Sequence, residues 1–149
     1  MSPAILIRPL RADERAAWEP LWAGYLAFYK ATIAPEVSDV TWARFHDPAE
    51  PMFVLGAYVD GKLTAIVHYI IHRSCWTISD YCYLQDLFVA DSARGLGLGR
   101  ALIEAVYDSA KAAGCGRVHW LTQPGNTTAR QLYDRIADDS GFMQYRKIF

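Results

Sequence analysis

The chain of 149 residues has only three cysteines, Cys75, Cys82 and Cys115, an odd number with no Cys-x-x-Cys pair. Neither a disulfide framework nor a zinc site of the usual spacing is suggested, and a reducing, cytoplasmic location is the expectation. No apolar run reaches the roughly 18 residues of a membrane span. Met1-Ser-Pro lacks the basic start and long apolar core of a secretory leader. Charge of one sign is not in excess either: 15 Lys and Arg face 16 Asp and Glu, a net charge of -1. Nothing in that balance calls for a nucleic-acid partner. Repeats, linkers and low-complexity stretches are missing as well, so the length predicts one domain over residues 1–149, large enough to bury a real core.

What the chain does have is Arg94-Gly-Leu-Gly-Leu-Gly-Arg100. Before it, Tyr83-Leu-Gln-Asp-Leu-Phe-Val89 reads as a strand. After it, Ala101 to Ala113 places apolar residues at 102, 103, 106 and 110 and stops at Gly114, a helical signature. A glycine loop at a helix N-terminus lets backbone N–H groups approach a ligand closely. The helix dipole supplies partial positive charge there, and Arg94 and Arg100 supply full charges. That is a phosphate site. No Lys-Ser or Lys-Thr follows, as a P-loop requires, and the glycine spacing at 95, 97 and 99 is not Gly-x-Gly-x-x-Gly. About 90 residues precede the loop, whereas a dinucleotide fingerprint opens the first strand of its sheet.

The loop does resemble the Arg/Gln-x-x-Gly-x-Gly/Ala signature of the GNAT acetyltransferases, through Arg94, Gly97 and Gly99. The resemblance continues along the chain. Ile5-Leu-Ile-Arg-Pro-Leu10 is similar to the family's opening strand, and Tyr83–Val89 to its fourth. Val118-His-Trp-Leu-Thr122 is similar to the fifth strand, and Asn126-x6-Tyr133 to a coenzyme-contacting Asn followed by a catalytic Tyr. Asp138-Asp-Ser-Gly-Phe142 resembles the turn into a last strand, Phe142–Phe149; residues 31–50 match least. The fold implied is α/β: a mixed, mostly antiparallel sheet of six to seven strands, splayed between the fourth and fifth and flanked by about four helices. Periodicity agrees, with a helix from Arg11 to about Lys30, a second from a Ser38 cap to Phe45, and strands Met52–Val59 and Leu63–Ile71 about an Asp60-Gly61 turn.

The same resemblance implies acetyl-CoA as cosubstrate and no metal. Arg94, Gly95, Leu96, Gly97, Leu98, Gly99 and Arg100 would take the pyrophosphate, and Asn126 would contact the coenzyme. Backbone groups of Leu87, Phe88 and Val89 would hold the pantetheine and polarise the thioester, a donor of that kind being worth about 3 kcal/mol. An alkylammonium has a pKa of about 10.4, so about one molecule in 2,500 is neutral at pH 7 and deprotonation costs roughly 4.6 kcal/mol. Tyr133 would protonate the leaving thiolate. The polyamine acetyltransferases carry Glu-Asp on the fourth strand and use the Glu in deprotonation; here the pair is Gln85-Asp86. Gln85 cannot take a proton at neutral pH but can orient a water, in a relay touching Gln85, Tyr81 or His119. Asp86 faces away from Gln85 on a regular strand and is freed to act beside it only by a bulge.

Acceptor binding falls to Asp86, Tyr25 and Tyr29, because the family builds its acceptor pocket from the first helix and the segment after it. Residues 13–50 hold seven acids against three bases, which either attracts a cationic amine or decorates solvated helix faces. His68 and His72 lie four apart on a strand, about 13 Å, too far to share a metal. Three functions stay open. The first is transfer of acetyl to a primary amine of a small molecule such as a polyamine or amino acid, in a branch of the family resembling Hpa2. The second is acetylation of a protein or peptide, and the third a non-catalytic acetyl-CoA-binding module. Neither nucleic acid nor membrane is implied as a partner; a homodimer built through the apolar, basic C-terminal strand is.

Overall fold

A computed structural model describes residues 2–149. Five strands form one sheet in the order β1-β2-β3-β4-β5. They are β1 (Ile5–Pro9), β2 (Met52–Val59), β3 (Lys62–His72), β4 (Tyr81–Val89) and β5 (Arg117–His119). Pairing is antiparallel from β1 through β4, and β4 pairs with β5 in parallel. Asp60 and Gly61 both have positive φ, 49° and 83°, which closes the β2–β3 hairpin as that dipeptide predicts.

Helices cover both faces. α1 (Arg15–Phe28), entered through a short 3-10 turn at Ala12–Glu14, and α2 (Pro35–Phe45) lie on one side; α3 (Leu98–Ala112) and α4 (Thr127–Ile136) lie on the other. The helix read from a Ser38 cap therefore begins four residues earlier, with Ala34 at the cap position. Proline at its first position presets the backbone angle a cap would otherwise favour, and the Ser38 hydroxyl accepts a hydrogen bond from Trp22 Nε1 at 3.1 Å instead. The larger core packs Leu55, Val67, Tyr69 and Leu84 of the sheet against Leu102, Ile103 and Val106 of α3. The second packs Trp18 and Leu21 of α1 and Trp42 of α2 against Val54 and Ile66. At Gly24 a Cβ would stand 2.7 Å from the Phe88 ring, so glycine lets α1 close onto β4.

Two expectations need correction. The sheet has five strands among the described residues, not six to seven, and Phe142–Phe149 forms no strand. Residues 138–149 are exposed throughout, with Phe142, Tyr145 and Ile148 each at least 78% accessible. An apolar segment gains sheet structure only from an edge to pair with and a surface to cover, and neither meets it within this chain. The fifth strand is also shorter than Val118–Thr122 implied, ending at His119.

Candidate active site

The site begins where β4 and β5 part. Their ladder joins only Tyr81, Cys82 and Tyr83 to Arg117, Val118 and His119. From Leu84 to Val89 the β5-facing side of β4 has no strand beside it. This is the expected splay, and it leaves backbone groups of Leu87, Phe88 and Val89 free to meet an extended ligand.

Below the splay, Gly95 and Gly97 have φ of 84° and 71°, and α3 starts directly after Gly97. A side chain at either position would be strained whatever the space around it. No side chain caps α3, so its first amides keep their donors for a ligand. Arg94, Gly95, Gly97, Leu98, Gly99 and Arg100 line an open cavity of about 350 Å³, with Val89, Ala93, Leu132 and Arg135 completing it. Leu96 is exposed on the same loop. Nothing in the sequence marks Arg135: it sits on α4, and only the packing of α4 beside α3 brings it here. Amides at a helix start and guanidiniums on the loop and α4 suit a pyrophosphate, so these residues fit the phosphates of acetyl-CoA.

Asn126 is the N-cap residue of α4 and is half-buried. About two turns later comes Tyr133, its ring edge-on to Trp120 at 5.3 Å between centroids. Burial raises the Tyr133 phenol above its ordinary pKa, and Tyr29 adds to the effect. The phenol therefore keeps its proton at neutral pH and stands ready to donate it. His119 moves the other way: burial, Arg117 and His72 lower its pKa. Its Nε2 lies 2.9 Å from that of His72, and Tyr83 stacks on its ring. His68 and His72 do not come together; their ring partners differ entirely. Among the described residues no three His, Cys, Asp or Glu side chains are grouped to hold a metal.

Opposite Tyr133 stands the acidic part of the cleft. In the β3–β4 register His68 faces Asp86 and Tyr69 faces Leu84, which leaves Gln85 as the extra residue of a bulge. The bulge turns Asp86 toward α1, onto the face from which Gln85 also projects, as regular alternation would not. Gln85 is exposed, and Asp86 keeps 13% of its side-chain surface. Asp86 Oδ2 lies 2.8 Å from His68 Nδ1, and Trp18 Nε1 donates to His68 Nε2 at 3.0 Å. From α1, Trp22, Tyr25 and Tyr29 form a run of contacting rings at 5.3 and 5.0 Å. Burial raises the Tyr25 pKa well above its ordinary value, and the Asp86 charge raises it further, with Tyr29 and Tyr83 contributing. Asp86, Tyr25 and Tyr29 thus share one cleft, and Tyr29 lies near enough to Tyr133 to raise its pKa. No sequence signal pointed to the Trp18–His68 pair behind it.

Residues 12–137 match the sequence profile of the Acetyltransferase (GNAT) family. The chain belongs to that family. It is 33% identical over 145 residues to the D-amino-acid N-acetyltransferase HPA3 of Saccharomyces cerevisiae, covering 96% of this chain and 90% of that one. The crystal structure of a ribosomal-protein-alanine N-acetyltransferase from Brucella melitensis biovar Abortus 2308 superposes with a TM-score of 0.82 at 24% identity, over 98% and 100% of the two chains. AAC(6')-Iy, solved in complex with the bisubstrate analogue CoA-S-monomethyl-acetylneamine, gives 0.84 at 20%, over 98% and 99%. This GNAT protein is an acetyl-CoA-dependent N-acetyltransferase.

Proposed function

We propose that the protein acetylates a primary amine of a small molecule, a polyamine, an amino acid or a related compound, by direct attack of the amine on acetyl-CoA. The observation that carries the reading is one cleft in which the Asp86 carboxylate, 2.8 Å from His68, and the contacting rings of Tyr25 and Tyr29 stand near the Tyr133 phenol. An ammonium is drawn to the Asp86 charge and can lie against the faces of Tyr25 and Tyr29. The likeness to a D-amino-acid acetyltransferase supports an amino acid within this class.

Acetyl-CoA supplies the activated acetyl group. Its phosphates would be held by the 94–100 loop, the first amides of α3 and Arg135, with Asn126 contacting the coenzyme. Backbone donors near Leu87, Phe88 and Val89 would face the thioester oxygen, where negative charge grows as the amine attacks. Gln85, exposed on the bulge, orients water that carries the ammonium proton away, and His119, held toward its neutral form, can accept it. The Tyr133 hydroxyl gives its proton to the departing sulfur. The Asp86 carboxylate holds the acceptor.

Acetyl-CoA-dependent release of free thiol tests this across spermidine, L- and D-amino acids, sisomicin and a histone-tail peptide. Turnover with one amine class, lowered at least about a hundredfold by Tyr133→Phe, is expected. Turnover with the peptide alone would replace the reading by protein acetylation. Binding of acetyl-CoA with no turnover at all would reduce it to a coenzyme-binding module. Three unpaired cysteines support a cytoplasmic setting, and the exposed apolar tail at 142–149 supports a homodimer.

A further inference from the structure

We propose that His68 is a positioning residue for acetyl transfer: it fixes the Asp86 carboxylate without cancelling its charge. The inference rests on the proposed role of Asp86 in holding the acceptor, and adds what makes Asp86 competent.

Trp18 sets the tautomer of His68. An indole N–H can only donate, so His68 Nε2, 3.0 Å away, must present its lone pair. With that bond intact the ring carries its proton on Nδ1 alone, and Nδ1 donates to Asp86 Oδ2 at 2.8 Å. His68 is 3% exposed and Trp18 fully buried, so the chain Trp18–His68–Asp86 runs from the second core to the cleft. Tyr25 meets the same carboxylate, and Asp86 keeps 13% of its side-chain surface for a ligand to reach.

Another carboxylate in the same molecule shows the alternative. Glu14 is gripped by the Arg8 guanidinium through both oxygens, at 2.7 and 3.1 Å, and its negative charge is compensated on the spot. An arginine behind Asp86 would do the same and leave nothing for an ammonium. A neutral imidazole donor orients the carboxylate, keeps its full charge and needs no counterion. A tautomer locked by a buried indole is a costly way to fill a core, since apolar side chains of equal volume leave no polar atoms to satisfy. It is an economical way to hold a charge still.

Two substitutions separate positioning from packing. In Asn the amide nitrogen lies as many bonds from Cα as Nδ1 does, so His68→Asn keeps the donor to Asp86 and loses the acceptor for Trp18. In Gln the amide oxygen lies as far out as Nε2, so His68→Gln keeps the acceptor for Trp18 and loses the donor to Asp86. Both are polar, and both leave one bond of the chain in place. Steady-state kinetics with D-phenylalanine and spermidine, with calorimetric binding of the same amines, should rank them. We expect His68→Gln to raise the acceptor KM and Kd about tenfold, the size of one lost charge-assisted hydrogen bond. His68→Asn should stay within about threefold of the unsubstituted protein, and the KM for acetyl-CoA should not move in either. Asp86→Asn should show at least the His68→Gln effect, with nothing added when the two are combined.

Equal kinetics for the two His68 variants, or Gln the better substitute, would overturn the inference while leaving the acetyltransferase reading intact. Movement of both KM values together would assign His68 to packing. Failure of the unsubstituted protein to bind either amine would remove the role of Asp86 and the inference with it.

Discussion

Replacing Glu14 by glutamine should loosen the attachment of α1 to the sheet, and the loss should depend on pH. Four donors converge on this carboxylate: two from Arg8, the Tyr58 hydroxyl at 2.8 Å and the Arg11 backbone N–H at 2.8 Å. The Arg8 guanidinium is the main reason its pKa falls to about 2 from an ordinary 4.5, with the Arg11 amide and the Tyr58 hydroxyl adding to it. The whole shift corresponds to about 3 kcal/mol. With 12% of the side chain still exposed, solvent screens part of it, and about 2 kcal/mol is the expected contribution at pH 7. A group whose pKa is depressed on folding stabilises the native state above its unfolded value. That stabilisation is lost as pH falls from 4.5 toward 2. Urea denaturation at pH 7 should therefore place Glu14→Gln about 2 kcal/mol below the unsubstituted protein, a drop of about 5 °C in Tm. At pH 3 the gap should shrink by more than half. A gap of equal size at both pH values would refute the electrostatic account and leave only lost packing. Because α1 carries Tyr25 and Tyr29 at its far end, the acceptor KM at neutral pH should rise modestly in the same variant.

Three further outcomes follow from the geometry. Gly97→Ala should cost about 1 kcal/mol of stability for a left-handed φ of 71° and weaken acetyl-CoA binding several-fold by calorimetry, with the acceptor KM unaffected. Arg135→Ala, on the α4 side of the phosphate cavity, should raise the acetyl-CoA KM roughly tenfold and flatten its dependence on salt concentration. Removing residues 142–149 should leave the thermal stability of a dilute monomer within about 0.5 kcal/mol, since the segment is exposed, and should abolish any dimer seen by analytical ultracentrifugation.

The legible parts of this protein are those whose physics is local. A glycine loop between an apolar strand and an amphipathic helix announces a phosphate site because the conformational demands lie inside seven consecutive residues. Asp60-Gly61 announces a hairpin, and Asn126 and Tyr133 share one short helix, for the same reason. At the α2 start two local signals compete, and a proline three residues upstream outranks a serine. The tail at 142–149 is apolar and basic and resembles the family's last strand, which says that a segment can pair but not that an edge awaits it. Asp86 is the instructive case. Its direction depends on whether β4 carries an extra residue against β3, a matter of register between strands that no residue within Tyr83–Val89 reveals. Once the bulge is present, Asp86 needs a partner that the chain provides 18 residues earlier at His68, and His68 in turn needs Trp18, a further 50 residues back. Read singly, these are a strand acid, a core histidine and a helix tryptophan. Only their closure into one hydrogen-bonded line gives the carboxylate a fixed direction and an uncompensated charge, the two properties that an incoming ammonium can use.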